Sequence, residues 1–362
     1  MRRIPVELGE KSYEIVMGHG LQEEIRTFLQ SRGYSRRSLV VSDTNVAPLY
    51  GERVLTTLRR AGLEPELCVV PAGENSKSIA GAEKIYTRLI GLGLDRHSPV
   101  FALGGGVVGD LAGFSAATYM RGVPFIQLPT SLLAQVDSSV GGKVAVNHAM
   151  GKNLIGCFYQ PDAVFMDLDF MRSLPKREVY TGLGEIVKYG IICDSDFFRF
   201  LEKHPAEVMS LEEGTIQHTI ARSCEIKAAV VAEDEKESGL RRILNFGHTM
   251  AHAIEQGTGY VRYNHGEAVA IGMLGAAYIS LFMGMVGEDS VQRVVDLVEA
   301  LHLPTKAEGC TVEAMRDAVF HDKKTVNGKV NWVLMESIGK VSVRNDVPME
   351  IVEEAMRRCI LS

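Results

Sequence analysis

The sequence predicts an α/β domain built on a Rossmann-like parallel sheet, followed by a mainly α-helical domain. Three observations predict it. Short apolar runs alternate with helical patterns up to about residue 171, and strands alternating with helices imply a parallel sheet with helices on both faces. A glycine run follows one of those strands and opens a helix. Beyond Pro175, to about Val319, the pattern turns mostly helical, with apolar residues recurring at three and four. The boundary is placed near Met171, giving an α/β domain at 1–171 and a helical domain at 172–362.

The elements run in order. Ser38–Val41 reads as a strand and Val46–Arg60 as a helix; Leu67–Val70 is a strand and Ser78–Ile90 a helix. Val100–Leu103, Phe125–Leu128 and Val164–Met166 are further apolar runs ending in turn signals. Leu211–Val231 and Val291–Leu301 carry the helical period. Val330–Leu334 and Lys340–Val343 suggest a small hairpin. Pro348–Cys359 reads as a closing helix with Pro348 near its first turn.

Composition narrows the function. The formal net charge is −6 over 362 residues, and no basic stripe of the kind that binds nucleic acid is visible. Basic residues gathered in motifs therefore point to a local anion pocket. The six cysteines lie far apart with no CxxC pair, which argues against a disulfide framework and for free thiols in a reducing compartment. The N-terminus lacks the apolar core of a signal peptide, so the expected location is cytoplasmic. The uncharged run 268–287 is long enough to span a bilayer. It is rich in Gly and Ala and lacks Lys or Arg anchors, so a helix buried at the centre of a domain, without a membrane, is expected.

Four segments carry chemistry. Gly104, Gly106 and Gly109 match G-x-G-x-x-G in the strand-to-helix context where backbone N–H groups face a pyrophosphate. No acid stands about 20 residues later as an ordinary fingerprint requires; the plausible one is Asp43, ending an earlier strand. Pro71–Lys77 offers a turn with one acid and one base, which by itself reads as well as a capped surface turn. The segment 128–153 is dense in small polar residues, and Lys143 and Lys152 each follow a glycine, suiting a compact cation to phosphate or carboxylate. Finally Glu185, His248 and His265 could complete a catalytic zinc site with one open position. Asn264 and Glu267 have capping-box spacing that would aim His265. Each histidine taken singly reads better as a buried hydrogen-bonded residue or a helix cap, and His252 as a neighbour of the ion or of the substrate. The HExxH motif is absent, which excludes that class of metalloprotease.

Taken together, Gly104–Asp110, Asp137–Asn153, Gly182–Gly190, Asn245–Glu255 and Asn264–Gly272 resemble the 3-dehydroquinate synthase family of the shikimate pathway, in order and spacing over essentially the whole chain. Departures are small: Ser131 for a common threonine, Val144-Ala145 for Thr-Gly, Ala72 for Asp. The resemblance implies a dehydroquinate synthase-like fold with the active site between the two domains, a homodimer, NAD, and a divalent ion, zinc with cobalt as the alternative. It implies Glu185, His248 and His265 as ion ligands. It implies Asp43, Glu74, Lys77, Gly105, Gly106, Asp110, Thr130, Ser131, Lys143, Lys152 and Ser173 as NAD contacts. The substrate pocket would be lined by Asp137, Lys143, Asn153, Lys188, Lys227, Glu237, Arg241, Asn245, His252 and Lys323 (or its neighbour Lys324), with Arg121 reaching the substrate phosphate within one chain or across the dimer.

The reaction implied converts 3-deoxy-D-arabino-heptulosonate 7-phosphate to 3-dehydroquinate and phosphate. It passes through transient oxidation, phosphate elimination, reduction, ring opening and aldol closure, a lyase reaction without net redox. The alternatives are another sugar phosphate cyclase and an iron-type alcohol dehydrogenase. The latter typically uses Asp and several His ligands and has no place for the lysine-rich segment.

Overall fold

The computed structural model describes residues 1–321, 325–326 and 329–361. They fall into two compact units, one of residues 1–174 and 227–235, the other of residues 175–226 and 236–362.

The first unit contains β1 (Arg2–Val6), β2 (Tyr13–Gly18), α1 (Gln22–Gln30), β3 (Arg37–Asp43), α2 (Glu52–Arg60), β4 (Glu64–Val70), α3 (Ile79–Gly91), β5 (Val100–Gly104), α4 (Gly106–Thr118), β6 (Phe125–Pro129), β7 (Lys143–His148), β8 (Gly151–Phe158) and β9 (Ala163–Asp167). Seven strands make one sheet in the order β1-β2-β9-β6-β5-β3-β4. The β1–β2 pair is antiparallel and every other pairing is parallel. Strands β5, β6 and β9 are buried at every residue, which is why they read as continuous apolar runs rather than alternating ones.

Two features escape the sequence reading. Pro5 argues against a strand in the interior of a sheet, yet β1 is an edge, where a missing N–H is tolerated. The lysine-rich segment is not a loop: β7 and β8 form an antiparallel hairpin, Lys143 opposite Phe158 and Val146 opposite Ile155. Val144 and Val146 face inward with the core residues of α3 and α4, while most of β8 is exposed.

Chain order in the sheet reverses at β3. The chain runs from β3 to β4 on one side, then returns to lay β5 on the other. Such a reversal opens a crevice beyond the carboxyl ends of the flanking strands, where α/β sheets bind ligands.

The second unit contains α5 (Lys176–Cys193), α6 (Ser195–Lys203), α7 (Pro205–Met209), α8 (Glu213–Glu233, whose last turns belong to the first unit), α9 (His248–Gly257), α10 (His265–Phe282), α11 (Glu288–Ala300), α12 (Val312–His321), β10 (Thr325–Val326), β11 (Lys329–Val330), β12 (Trp332–Ser337), β13 (Lys340–Arg344) and α13 (Met349–Arg358). The uncharged run is α10. It is long and apolar enough to cross a membrane, but 72% of it is buried in the fold, against α5, α9, α11, α13 and β12. The expected hairpin is β12–β13, with an irregularity between Met335 and Ser337.

Buried Ser280 secures that hairpin. Its hydroxyl donates to Ala276 O (2.8 Å) and accepts from the Met335 N–H (2.9 Å). Ser280→Ala leaves a buried N–H without an acceptor, and we expect a loss of about 1–3 kcal/mol in denaturant unfolding at unchanged m-value. An unchanged midpoint would show that the hydroxyl is dispensable.

Candidate active site

The crevice at the strand reversal gathers the nucleotide candidates. Asp43 ends β3, and its Oδ1 accepts from the N–H groups of Asn45 (2.8 Å) and Val46 (3.0 Å), which orients the carboxylate. Gly105 and Gly106 lie at the start of α4, whose N-terminus no side chain caps among the described residues. Its N–H groups are thus left for an anion. Thr130 and Ser131 follow β6, with the Thr130 N–H on Gly104 O at 3.0 Å. Lys77, beyond β4, pairs with Asp110 on α4. Burial raises the Asp110 carboxyl and the Lys77 ammonium opposes that rise. Ser173 lies farther along, its hydroxyl 2.5 Å from Tyr50 Oη.

The hairpin is tied to this edge by Asn147, which the sequence reading passed over as a site residue. Its Nδ2 donates to Glu74 Oε1 (2.6 Å), its N–H to Lys77 O (2.8 Å), and its Oδ1 accepts from the Asn153 N–H (2.9 Å). Lys143 and Lys152 stand on the two hairpin strands. Lys227 donates to Asp137 O and Oδ1, both at 2.7 Å. Arg121 is exposed in a turn of consecutive left-handed residues, with φ of 49°, 67° and 118° at Met120, Arg121 and Gly122. Such backbone is strained for side-chain-bearing residues and clusters at functional sites.

In the second unit, Glu185, His248 and His265 converge, with one ligand atom of each within 4.8 Å of the others. Close helix contacts bring them together. A Cβ on Gly184 would lie 2.3 Å from Gly266 O, so only glycine lets α5 touch α10 beside Glu185. Gly247 caps α9 in the left-handed region at φ 78°, where glycine is favoured, and starts the helix at His248. His265 is the first residue of α10, where the Asn264 N–H donates to Glu267 Oε2 (2.8 Å) and Arg177 grips Glu267.

The donor set fits an ion. Glu185 Oε2 is held by Lys188. Its Oε1 is buried and accepts no well-formed hydrogen bond, yet lies 3.3 Å from His248 Nε2 and 3.5 Å from His265 Nε2. Ligands about 2.0–2.1 Å from a tetrahedral zinc are separated by about 3.3–3.4 Å. His248 Nδ1 sits 3.1 Å from Phe246 O, so it carries the proton and turns the Nε2 lone pair toward Glu185. Glu255, buried and also unforeseen, reaches His265 Nδ1 at 3.5 Å. The His252 ring is 5.9 Å from that of His248 and 6.4 Å from that of His265, beside the cluster. Nearby, Asn245 Nδ2 donates to Glu237 Oε1 (2.6 Å), and Arg241 is buried. Lys323 and Lys324 lie outside the described residues.

Comparison with known proteins gives the same picture. The profile of the 3-dehydroquinate synthase N-terminal domain matches residues 67–181, and that of the C-terminal domain residues 182–325. The chain is 49% identical over 348 residues to the 3-dehydroquinate synthase of Desulforamulus reducens, covering 96% of this chain and 97% of the relative. Identity to that of Thermodesulfovibrio yellowstonii is 43% over 357 residues, covering 98% and 99%. Among solved structures, 2-epi-5-epi-valiolone synthase of Streptomyces hygroscopicus subsp. jinggangensis, with NAD+ and Zn2+ bound, superposes with a TM-score of 0.87 at 30% identity over 97% of each chain. A 2-deoxy-scyllo-inosose synthase complexed with carbaglucose-6-phosphate, NAD+ and Co2+ superposes at 0.91 with 25% identity, covering 99% and 100%. An iron-containing alcohol dehydrogenase reaches 0.69 at 14% identity over 96% and 97%, a likeness of fold alone.

The charges of the cluster favour a proton on His265. Burial tends to raise Glu185, but Lys188 and His248 hold it well below the usual carboxylate range. Burial pushes His248 down to about 4. At His265 burial also favours the neutral ring, but Glu185 and Glu255 outweigh it and lift the group to about 10. Below that value an entering ion must displace the His265 proton, so affinity falls as pH falls. We expect zinc affinity to weaken about tenfold per pH unit between about pH 8 and pH 6. Calorimetric titration in buffers of different ionisation enthalpy measures it; pH-independent affinity without proton release would contradict this ligand set.

Proposed function

We propose, since this chain belongs to the 3-dehydroquinate synthase family, that Glu185, His248 and His265 hold one catalytic divalent ion and that the crevice between β3 and β5 holds NAD. The observation that carries the reading is the buried Glu185 Oε1 facing two imidazole nitrogens at tetrahedral-ligand spacing. The chain acts as a 3-dehydroquinate synthase, converting 3-deoxy-D-arabino-heptulosonate 7-phosphate to 3-dehydroquinate and phosphate.

When bound, the ion supplies a Lewis acid at the hydroxyl that loses hydride, and NAD supplies the acceptor that later returns it. The chain's own residues bind and orient. Gly105, Gly106 and the α4 N-terminus receive the pyrophosphate, Asp43 a ribose, and Thr130, Ser131, Lys152 and Ser173 complete the nucleotide contacts. Glu74, Lys77 and Asp110 also belong to that set; the contacts of Asn147 and the Lys77–Asp110 pair keep this edge in shape. Lys143, Asn153, Lys188, Lys227, Arg241, Asn245 and Arg121 receive the carboxylate, hydroxyls and phosphate, with Asp137 and Glu237 fixing Lys227 and Asn245. His252 beside the ion ligands belongs to the same set by family resemblance, as does Lys323, which lies outside the described residues. Phosphate elimination, ring opening and aldol closure are then reactions of one substrate held in register.

Another cyclase activity would give an equally similar fold, but identity of 43–49% to 3-dehydroquinate synthases against 25–30% to the two solved cyclases favours the heptulosonate. A cytoplasmic setting accords with six free cysteines. Incubation with the heptulosonate phosphate, NAD and zinc should release phosphate and 3-dehydroquinate without net NADH. Lys143→Ala should lose at least about a hundredfold in kcat. Net NADH accumulation would instead mark a dehydrogenase, and unchanged kinetics would remove Lys143 from the site.

We also infer a homodimer in which a second copy covers β8, because Leu154 and Phe158, with Met150 in the turn, stand exposed on a strand paired on one side only. Leu154→Lys should shift sedimentation toward a monomer; an unchanged dimer would place the interface elsewhere.

A further inference from the structure

We propose that Glu255 is a positioning residue for the ion: its carboxylate holds the Nδ1 edge of His265 and so turns the Nε2 lone pair onto the ion shared with Glu185 and His248. The inference rests on the metal reading above and goes beyond it, because Glu255 belongs to none of the ligand, nucleotide or substrate sets.

The argument begins with helix geometry. His248, His252 and Glu255 stand at i, i+4 and i+7 on α9, hence on one face. That face meets the first turn of α10, and α9 and α10 are in extensive contact. Each of the two histidines starts a helix, and the two are supported differently. His248 turns its Nδ1 to a backbone carbonyl two residues back. His265, as the first residue of α10, has no completed turn before it. Glu255 supplies the missing support from the neighbouring helix, its Oε1 3.5 Å from His265 Nδ1.

Charge gives the choice of residue a reason. The N-terminus of α10 is the positive end of a helix dipole, a poor place for a ligand that must donate to a cation. A carboxylate behind the imidazole offsets that field and strengthens the ring as a donor, as a neutral carbonyl would do less well. Glu255 is 5% exposed, and a buried carboxylate requires a proton donor or a cation nearby. An imidazole N–H facing it meets that need whether or not the ion is bound.

The test titrates full-length protein with Co2+ while following visible absorption, and measures zinc affinity by competition with a chelator. Wild type is expected to take up one ion per chain. Glu255→Ala should bind it about 10–100-fold more weakly, with shifted cobalt bands. Glu255→Gln keeps an acceptor but loses the charge and should fall between. If either variant matches wild type in affinity and spectrum, or melts at lower temperature with its cobalt bands unmoved, Glu255 only fills space and the proposal fails while the metal reading stands. If wild type takes up no ion, or Glu185→Ala takes up ion as wild type does, the metal reading fails instead. Should the variants not fold, 15N chemical shifts of His265 in ion-loaded wild type decide: a protonated Nδ1 supports the proposal and an unprotonated one overturns it.

Discussion

A buried carboxylate oxygen placed against two imidazole nitrogens is the constraint around which the second unit is organised. Glu185 Oε1 is shut away from water without a well-formed hydrogen bond, and although Lys188 pairs with the other oxygen, a buried carboxylate oxygen left without a partner is costly. A cation shared by the three groups would satisfy it, as the proposed metal reading supplies. Everything near it serves to keep those atoms from drifting apart. Lys188 takes the other carboxylate oxygen. The Gly184–Gly266 contact sets the distance between α5 and α10 at the level of the ligands. The left-handed cap at Gly247 fixes where α9 begins.

The same groups explain why the pocket suits an acid. With a divalent ion in place, Glu185 and Glu255 together match its charge, and the Lys188 ammonium is left over. Two helix N-termini, those of α9 and α10, begin at ligand residues and add partial positive charge. A chain with formal net charge −6 thus holds a locally positive centre. Two lysines of the first unit follow a related rule: Lys77 and Lys227 are each held by an acid, Asp110 and Asp137. Cations held in this way sit in a defined place before substrate arrives, and pre-ordering lowers the entropy lost on binding.

Much of this was legible in the sequence because it rests on short-range rules. The buried strands β5, β6 and β9 announce themselves as apolar runs, α10 as an uncharged Gly- and Ala-rich stretch, and the nucleotide turn by its glycines. The candidate ligands came from family resemblance, since the segments of Glu185, His248 and His265 are far apart and only the folded chain makes them neighbours. What the sequence concealed depends on partners distant along the chain. The hairpin β7–β8 hid behind polar residues because just one face of β7 packs inward. Asn147 gained its role from Glu74, 73 residues away. Glu255 stood inside a recognised motif, seven positions after a ligand on the same helix, a spacing that could have flagged it, but its partner His265 starts a different helix.

A fold shared with an iron-containing alcohol dehydrogenase at 14% identity means that the architecture does not choose the chemistry. A parallel sheet with a strand-order reversal offers a place for a nucleotide, and a helical unit offers a place for an ion, in oxidoreductase and cyclase alike. The choice has to lie in groups that can hold a substrate by both of its acidic ends through several steps without releasing it. A simple alcohol needs no such grip, and a dehydrogenase gains from letting its product leave after one hydride transfer. A cyclase that borrows hydride and must return it gains from the opposite. The hairpin carrying Lys143 and Lys152 is anchored through Asn147 to the turn after β4, and under the proposed reading this anchoring would hold such a grip in place.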